Sequence, residues 1–134
     1  MRVLALDYGS ARCGCALSDP TGTLATPIDP IERPATRRGF ARLTDLVRER
    51  EVARVVVGLP LGLSGADTDQ TRETRAFAAR LADAVRVPVE MYDERFTTAI
   101  AARGPADART SEDSRAAAVL LEDWLARNAP GAEA

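Results

Sequence analysis

Three acidic positions stand where an α/β protein places its chemistry. Asp7 closes the apolar run Val3-Leu4-Ala5-Leu6, and Asp93-Glu94 closes the run from Val87 to Tyr92. Asp113 lies four residues before Ala117, which begins the apolar stripe Ala117, Leu120, Leu121, Trp124 and Leu125. That spacing turns Asp113 inward with the stripe. In open α/β sheets ligands bind beyond the carboxyl ends of the strands, so these acids are expected to meet there. Uncompensated, they would repel and their pKa values would rise. A divalent cation removes the conflict. Carboxylate oxygens suit Mg²⁺ or Mn²⁺, and such ions activate water and stabilise the leaving oxygen in phosphodiester cleavage. Asp7, Glu94 and Asp113 are therefore the candidate catalytic and metal-ligating residues.

Two absences point the same way. The chain has no His, which excludes Ser-His-Asp and Cys-His nucleophiles and the HExxH zinc site. All 18 basic residues are Arg, which excludes the Walker A lysine and Schiff-base chemistry. Carboxylates remain. The net charge of −2 is not the footprint of a strongly basic nucleic-acid binder, so any such surface must be a local Arg patch.

Around the acids, Gly9 and Ser10 would let a phosphate approach the backbone, Thr97 and Thr98 would donate to phosphates, and Arg12 and Arg95 would pair with them. Each residue also admits a structural reading. Asp7-Tyr8-Gly9 suits a tight turn, Asp93 and Glu94 a surface pair beside Arg95, and Thr97 or Thr98 a helix cap. Thr110-x-x-Asp113 resembles a capping box. The joint occurrence favours function. Arg12, Arg95, Arg103 and Arg109 flank the acids in sequence; few phosphate contacts of this kind predict a shallow slope of log K against log salt, about −2 to −4.

The elements that must position these residues follow from periodicity. Val3–Leu6 and Cys13–Leu17 read as buried strands joined by a turn, with Thr23–Thr26 a shorter third, together an antiparallel meander. Residues 27–35 carry three prolines and read as a loop. Thr36 caps a helix to about Arg50 with Phe40, Leu43 and Val47 on one face. Arg54–Val57 reads as a strand covered on both faces, opening into Gly58-Leu59-Pro60. A helix from about Asp67 to Val85 carries Thr74, Phe77, Ala78, Leu81 and Val85 on one stripe. A strand from Val87 to Tyr92, a short helix from Thr97 to Arg103 and a last helix from Thr110 or Ser111 complete the order. This pattern implies a mixed sheet with helices on both faces. Cys13 and Cys15, two apart on a strand, share a face and read as buried free thiols.

Four segments in order resemble one family. They are Leu4-Ala5-Leu6-Asp7-Tyr8-Gly9 leading to Gly14-Cys15-Ala16, Val56-Val57-Gly58-Leu59-Pro60-Leu61 with Gly65, Tyr92-Asp93-Glu94-Arg95-Phe96-Thr97-Thr98, and Asp113-Ser114 followed by Ala117 to Leu121. The family is YqgF, also called RuvX, the bacterial Holliday-junction resolvase-like proteins regarded as nucleases for the precursor of 16S rRNA. The resemblance implies a ribonuclease H-like α/β fold, three layers α/β/α around a mixed five-stranded sheet. It implies a divalent-metal nuclease acting on structured nucleic acid, through the 5′-end maturation of that precursor. It carries the metal-binding acids onto Asp7, Glu94 and Asp113, with Asp93 the neighbour. Residues 99–112 depart from the family's longer basic stretch: they hold only Arg103 and Arg109 and include Gly104-Pro105.

Two functions compete. Asp-x-Gly on a first hairpin also opens the ATPase fold of actin and sugar kinases, which needs two such domains where 134 residues supply one. A non-catalytic nucleic-acid-binding module is the other, and a Holliday-junction DNA resolvase is the alternative within the nuclease reading. Precursor rRNA or branched DNA is the expected partner. The chain is expected to be a monomer or homodimer, with one domain over residues 1–127 and a flexible tail over 128–134. It holds neither an apolar run of the roughly 20 residues that span a bilayer nor a signal-peptide pattern, which predicts a soluble cytoplasmic protein without membrane contact.

Overall fold

In a computed structural model of the chain, the described residues are 1–62, 64–94 and 112–128. Five strands and three helices are formed among them: β1 (Val3–Asp7), β2 (Arg12–Ser18), β3 (Ala25–Glu32), α1 (Arg37–Glu49), β4 (Arg54–Leu59), α2 (Asp69–Ala84), β5 (Val89–Asp93) and α3 (Glu112–Asn128). The sheet runs β3-β2-β1-β4-β5. β1, β4 and β5 are parallel, and β2 and β3 complete the antiparallel meander.

The apolar runs of β1 and β4 lack alternation because both faces of the sheet are covered. Leu4, Leu6, Val55 and Val57 pack under α1 and α2, against Leu43, Val47, Phe77 and Leu81. Val3, Ala5 and Val56 point the other way, against Leu120, Leu121 and Trp124 of α3. Each fully buried Leu of these clusters contributes about 1.5–3 kcal/mol. Cys13 and Cys15 are free and buried on the α1–α2 face. The hydrogen bond between them and their burial hold the Cys13 thiol well above the usual thiol range.

The helices begin where capping chemistry sets them. Thr36 accepts a hydrogen bond from the Gly39 N–H at 3.2 Å, and Thr68 and Thr71 form a reciprocal capping box that starts α2 at Asp69. The Thr71 hydroxyl also donates to the Pro60 carbonyl, tying the head of α2 to the end of β4. Across the sheet, the Tyr92 hydroxyl donates to the Asp123 carboxylate and fastens α3 to β5.

Strand boundaries differ from the sequence reading. β4, expected to end at Val57 with Gly58 and Leu59 opening a loop, continues through both residues, because Gly58 and Leu59 still pair with Tyr92 and Asp93 of β5. Residues 27–32, expected in a loop, belong to β3, which passes through Pro27 and Pro30. β3 is an edge strand paired only with β2, so a proline nitrogen on its open side costs no ladder bond. β5 begins at Val89, after Pro88, and ends at Asp93, so it starts two residues later than expected and ends one later. The expected short helix from Thr97 to Arg103 and the cap at Thr110 lie outside the described residues. No described helix is long and apolar enough to cross a membrane.

A carboxylate site between two glycines

The three parallel strands end together, and the acids sit on that rim. Asp7 is the last residue of β1 and Glu94 follows β5 directly. Alternation along β5 decides between the neighbouring acids. Val89 and Met91 pack toward α1 and α2, and Tyr92 toward α3. Asp93 therefore takes the α1–α2 side and Glu94 the α3 side, which Asp7 shares with Val3 and Ala5.

Glycines flank Asp7 on both neighbouring strands. Gly14 of β2 is its register partner, and Gly58 of β4 follows Val57, the partner of Leu6. Over Gly58 lies the Glu94 side chain: a β-carbon built at Gly58 would stand 2.5 Å from Glu94 Oε1 and 2.9 Å from its Cγ. Over Gly14 lies the first turn of α3, where a β-carbon would stand 2.0 Å from the Asp113 carbonyl oxygen. Both approaches are closer than any side chain permits, so glycine at these two places lets the second and third acids come in beside the first. The β2–β3 register slips between Cys13 and Cys15, and the Cys15 N–H donates to the buried Ser114 Oγ at 3.2 Å. That bond pins the head of α3 and with it Asp113.

Asp7 and Glu94 are hydrogen-bonded to each other. Such a bond needs one proton shared by the pair, and both carboxyls are raised above their ordinary values. The Glu94 pKa is pushed up to about 8 by burial first, then by the bond to Asp7 and the charges of Asp7 and Asp93. Burial and the Asp113 charge also raise Asp7, while the bond to Glu94 opposes them. Asp113 is close enough to act on Asp7 electrostatically, but its carboxylate is half-exposed and pairs with Arg12 at 3.6 Å. It is not turned fully inward as its spacing predicted, because the first turn of α3 lies at the rim of the sheet. As the side chains stand, no three His, Cys, Asp or Glu among the described residues surround a point that an ion would occupy.

Gly9 lies in the tight β1–β2 turn, where a β-carbon would meet the Arg12 carbonyl oxygen at 2.7 Å, and Ser10 beside it is exposed. Arg12 stands at the site through Asp113. Arg95, Thr97 and Thr98 lie outside the described residues. Sequence reasoning did not assign Gly14, Gly58 or Ser114 a part in the site, nor Tyr8. Tyr8 stacks on Phe77 with ring centroids 4.3 Å apart and donates to Glu73 at 3.2 Å, which anchors the end of β1 from the opposite face.

The fold is the ribonuclease H-like one, with acids gathered at the carboxyl rim of its parallel strands. Over 98% of this chain and 97% of the other it is similar to Thermus thermophilus RuvC in complex with Holliday junction substrate, at a TM-score of 0.62 and 14% identity. A second Thermus thermophilus RuvC structure gives a TM-score of 0.59 at 16% identity, covering 94% of this chain and 95% of that one. The chain belongs to the RuvX family, whose model, described as "RuvX: Holliday junction resolvase", matches residues 1–127. Relatives named "Putative pre-16S rRNA nuclease" include one from Maridesulfovibrio salexigens, 38% identical over 95% of this chain and 99% of its own length. One from Anaeromyxobacter dehalogenans is 39% identical over 97% and 100%, and one from Koribacter versatilis is 42% identical over 88% and 77%.

Proposed function

We propose that this protein is a divalent-metal-dependent nuclease that hydrolyses phosphodiester bonds in structured RNA, with the precursor of 16S rRNA as substrate and its 5′ end as the product. The observation that supports it best is the Asp7–Glu94 pair, two carboxyls held against each other at the ligand-binding rim with one proton between them. Such a pair is costly to a fold that has no use for it. The family match and the names of the relatives supply the substrate class. The reading takes residues 1–127 as one domain acting in the cytoplasm, as a monomer or homodimer.

The donor set fits a hard cation. Asp7 and Glu94 offer oxygens at the place where they now share a proton, and Asp113 completes the set by turning from Arg12, which costs little for an exposed ion pair. Asp7, Glu94 and Asp113 would thus hold Mg²⁺ or Mn²⁺, which supplies a nucleophilic water and charge stabilisation at the leaving oxygen. The remaining work belongs to the chain. Gly58 and Gly14 leave the space in which the acids converge. Glu94, to serve as a ligand, would have to release its proton. Arg12, released from Asp113, is free to pair with a phosphate. The turn at Gly9-Ser10 presents backbone to the substrate, and Arg95, Thr97 and Thr98 are assigned to the same task.

The family model's own description favours a second reading, cleavage of branched DNA. Matched RNA and DNA junction substrates incubated with Mn²⁺, with Asp7→Asn as control, decide between them. Cleavage of the RNA by wild type alone is the expected result. Equal cleavage by Asp7→Asn overturns the site.

A further inference from the structure

α1 and α2 lie side by side on the face of the sheet opposite α3, and a groove of about 670 Å³ runs between them. Its floor is apolar, from Phe40 and Ala41 through Val47 to Val85 and Val87. Its walls carry Arg37, Arg48, Arg80 and Arg86 against one acid, Glu51; Arg48 is already paired with Asp45 at 2.8 Å, which leaves three arginines. In a chain of net charge −2 this is a local excess of cation. Arginines elsewhere on α2 are neutralised, Arg72 by Asp69 and Arg75 by Asp67. Arg37, Arg80 and Arg86 have no carboxylate partner among the described residues. The Arg80 guanidinium stands over the Phe40 ring, 3.8 Å from its centroid, held by a 2.7 Å bond to the Ala35 carbonyl. Arg80 is nonetheless exposed, so a fixed planar cation is presented outward.

The groove also begins at the right end of the molecule. Arg12, which pairs with Asp113 at the carboxylate site, is the register partner of Glu32 at the end of β3. The Arg33 N–H donates to the Ala11 carbonyl at 2.9 Å, and α1 starts at Arg37 directly after. A strand leaving the carboxylates over the β1–β2 turn therefore meets Arg33 and then the mouth of the groove.

We propose that the groove between α1 and α2 holds a single-stranded segment of nucleic acid that continues from the carboxylate site. The inference rests on the nuclease reading and adds a second contact surface to it. Arginine planes and an apolar floor are the features on which unpaired bases stack, with cations at the rim for phosphates. From Arg37 to Arg48 the groove follows about 16 Å of helix axis, the rise of about five stacked nucleotides. A second copy docking groove to groove would set Arg against Arg.

The test uses the full chain carrying Asp7→Asn, so that substrate survives, and fluorescence anisotropy with a labelled RNA duplex. The duplex is blunt or carries six unpaired nucleotides on its 5′ or 3′ end. One of the two extensions should tighten binding at least fivefold. Arg37→Gln with Arg86→Gln should abolish that gain and reduce the slope of log K against log salt by about 1.4, at roughly 0.7 per phosphate on a single strand. Arg72→Gln with Arg75→Gln, which removes equal charge outside the groove, should leave both unchanged. No gain from either extension, or a gain that survives the groove substitutions, overturns the proposal. So does an equal loss in the control pair. If the groove substitutions instead split a dimer by light scattering while the gain persists, the occupant is protein and the proposal fails. Failure of the nuclease reading is scored separately, as wild-type protein with Mn²⁺ cutting neither RNA nor DNA.

Discussion

Gly58 lies directly beneath the Glu94 carboxyl, so that a single β-carbon at position 58 would come within 2.5 Å of Glu94 Oε1. The contact is with the far end of a flexible side chain, which sets what a substitution does. Gly58→Ala should leave the fold intact and push Glu94 off Asp7. Metal affinity and cleavage should fall roughly 10–100-fold, the usual cost of disturbing the surroundings of a ligand. Single-turnover cleavage beside thermal unfolding checks this; a large loss of Tm with unchanged cleavage is the opposite outcome.

Gly14 makes the contrasting case. Its missing β-carbon faces backbone, the Asp113 carbonyl at 2.0 Å, and backbone cannot swing aside. Gly14→Ala must displace the head of α3 and should cost about 1–3 kcal/mol, the range of overpacking. Ser114→Ala removes the acceptor of the buried Cys15 N–H and should cost a similar 1–3 kcal/mol. Urea unfolding measures both. Because both act on the same docking point, the double variant should lose less than the sum.

The shared proton gives the metal-free protein a pH signature. Glu94 has its folded-state pKa raised to about 8 from an ordinary 4.5, so between those values the folded chain binds more protons than the unfolded one. The stabilisation is complete below about pH 4.5 and is lost as pH rises through about 8. Without metal, Tm should therefore decline from pH 5.5 to 8.5 through this pair. Asp7→Asn keeps an acceptor oxygen but removes the charge that, after burial, helps to raise Glu94, and should make the decline shallower. A Tm profile that is identical in the two proteins contradicts the pairing.

Metal should reverse that trend, because a cation displaces the proton. Mn²⁺ at about 100 times its dissociation constant should stabilise wild type by roughly 2.7 kcal/mol, more at pH 8 than at pH 6. Asp7→Asn should show little of this shift and no cleavage, while its metal-free fold gains slightly from the removal of like charge. Thermal unfolding with and without Mn²⁺ provides the comparison, and an equal shift in both proteins would place the ion elsewhere.

Much of this arrangement was legible in the sequence, for identifiable reasons. An apolar run that stops at an acid marks a strand end, so Asp7 and the Asp93-Glu94 pair could be placed on the rim before any coordinates. The stripe from Ala117 to Leu125 fixed the orientation of α3. What could not be read was register. That Gly14 and Gly58 sit on either side of Asp7 depends on which residues pair across strands, and no local pattern states it. One signal was available for Gly14: with the β1–β2 turn centred on Ser10 and Ala11, the residue opposite Asp7 is Gly14. Pro27 and Pro30 hid β3 because their cost depends on whether the strand has one neighbour or two. The arginines of the α1–α2 groove are up to 49 positions apart in sequence, from Arg37 to Arg86, and only the packing of the two helices collects them. Arg12, Arg95, Arg103 and Arg109 drew notice because they flank the acids in sequence; with Arg37 and Arg86 added, the expected salt slope steepens by about 1.4.

The prolines of β3 bear on how copies of the protein meet. A sheet edge is a template that any extended chain can join, in the cell or in a concentrated sample. Here one edge is formed by a strand in which two of eight residues, Pro27 and Pro30, have no N–H to offer. An incoming strand finds an interrupted row of donors and cannot lengthen the sheet from that side. Edge-to-edge growth toward fibrils is thus blunted at β3, and a homodimer, where one forms, must be built from helix faces or from the opposite border at β5. Replacing both prolines with β-branched residues would keep the pairing with β2 and remove the safeguard, yielding a protein that folds alike and aggregates sooner.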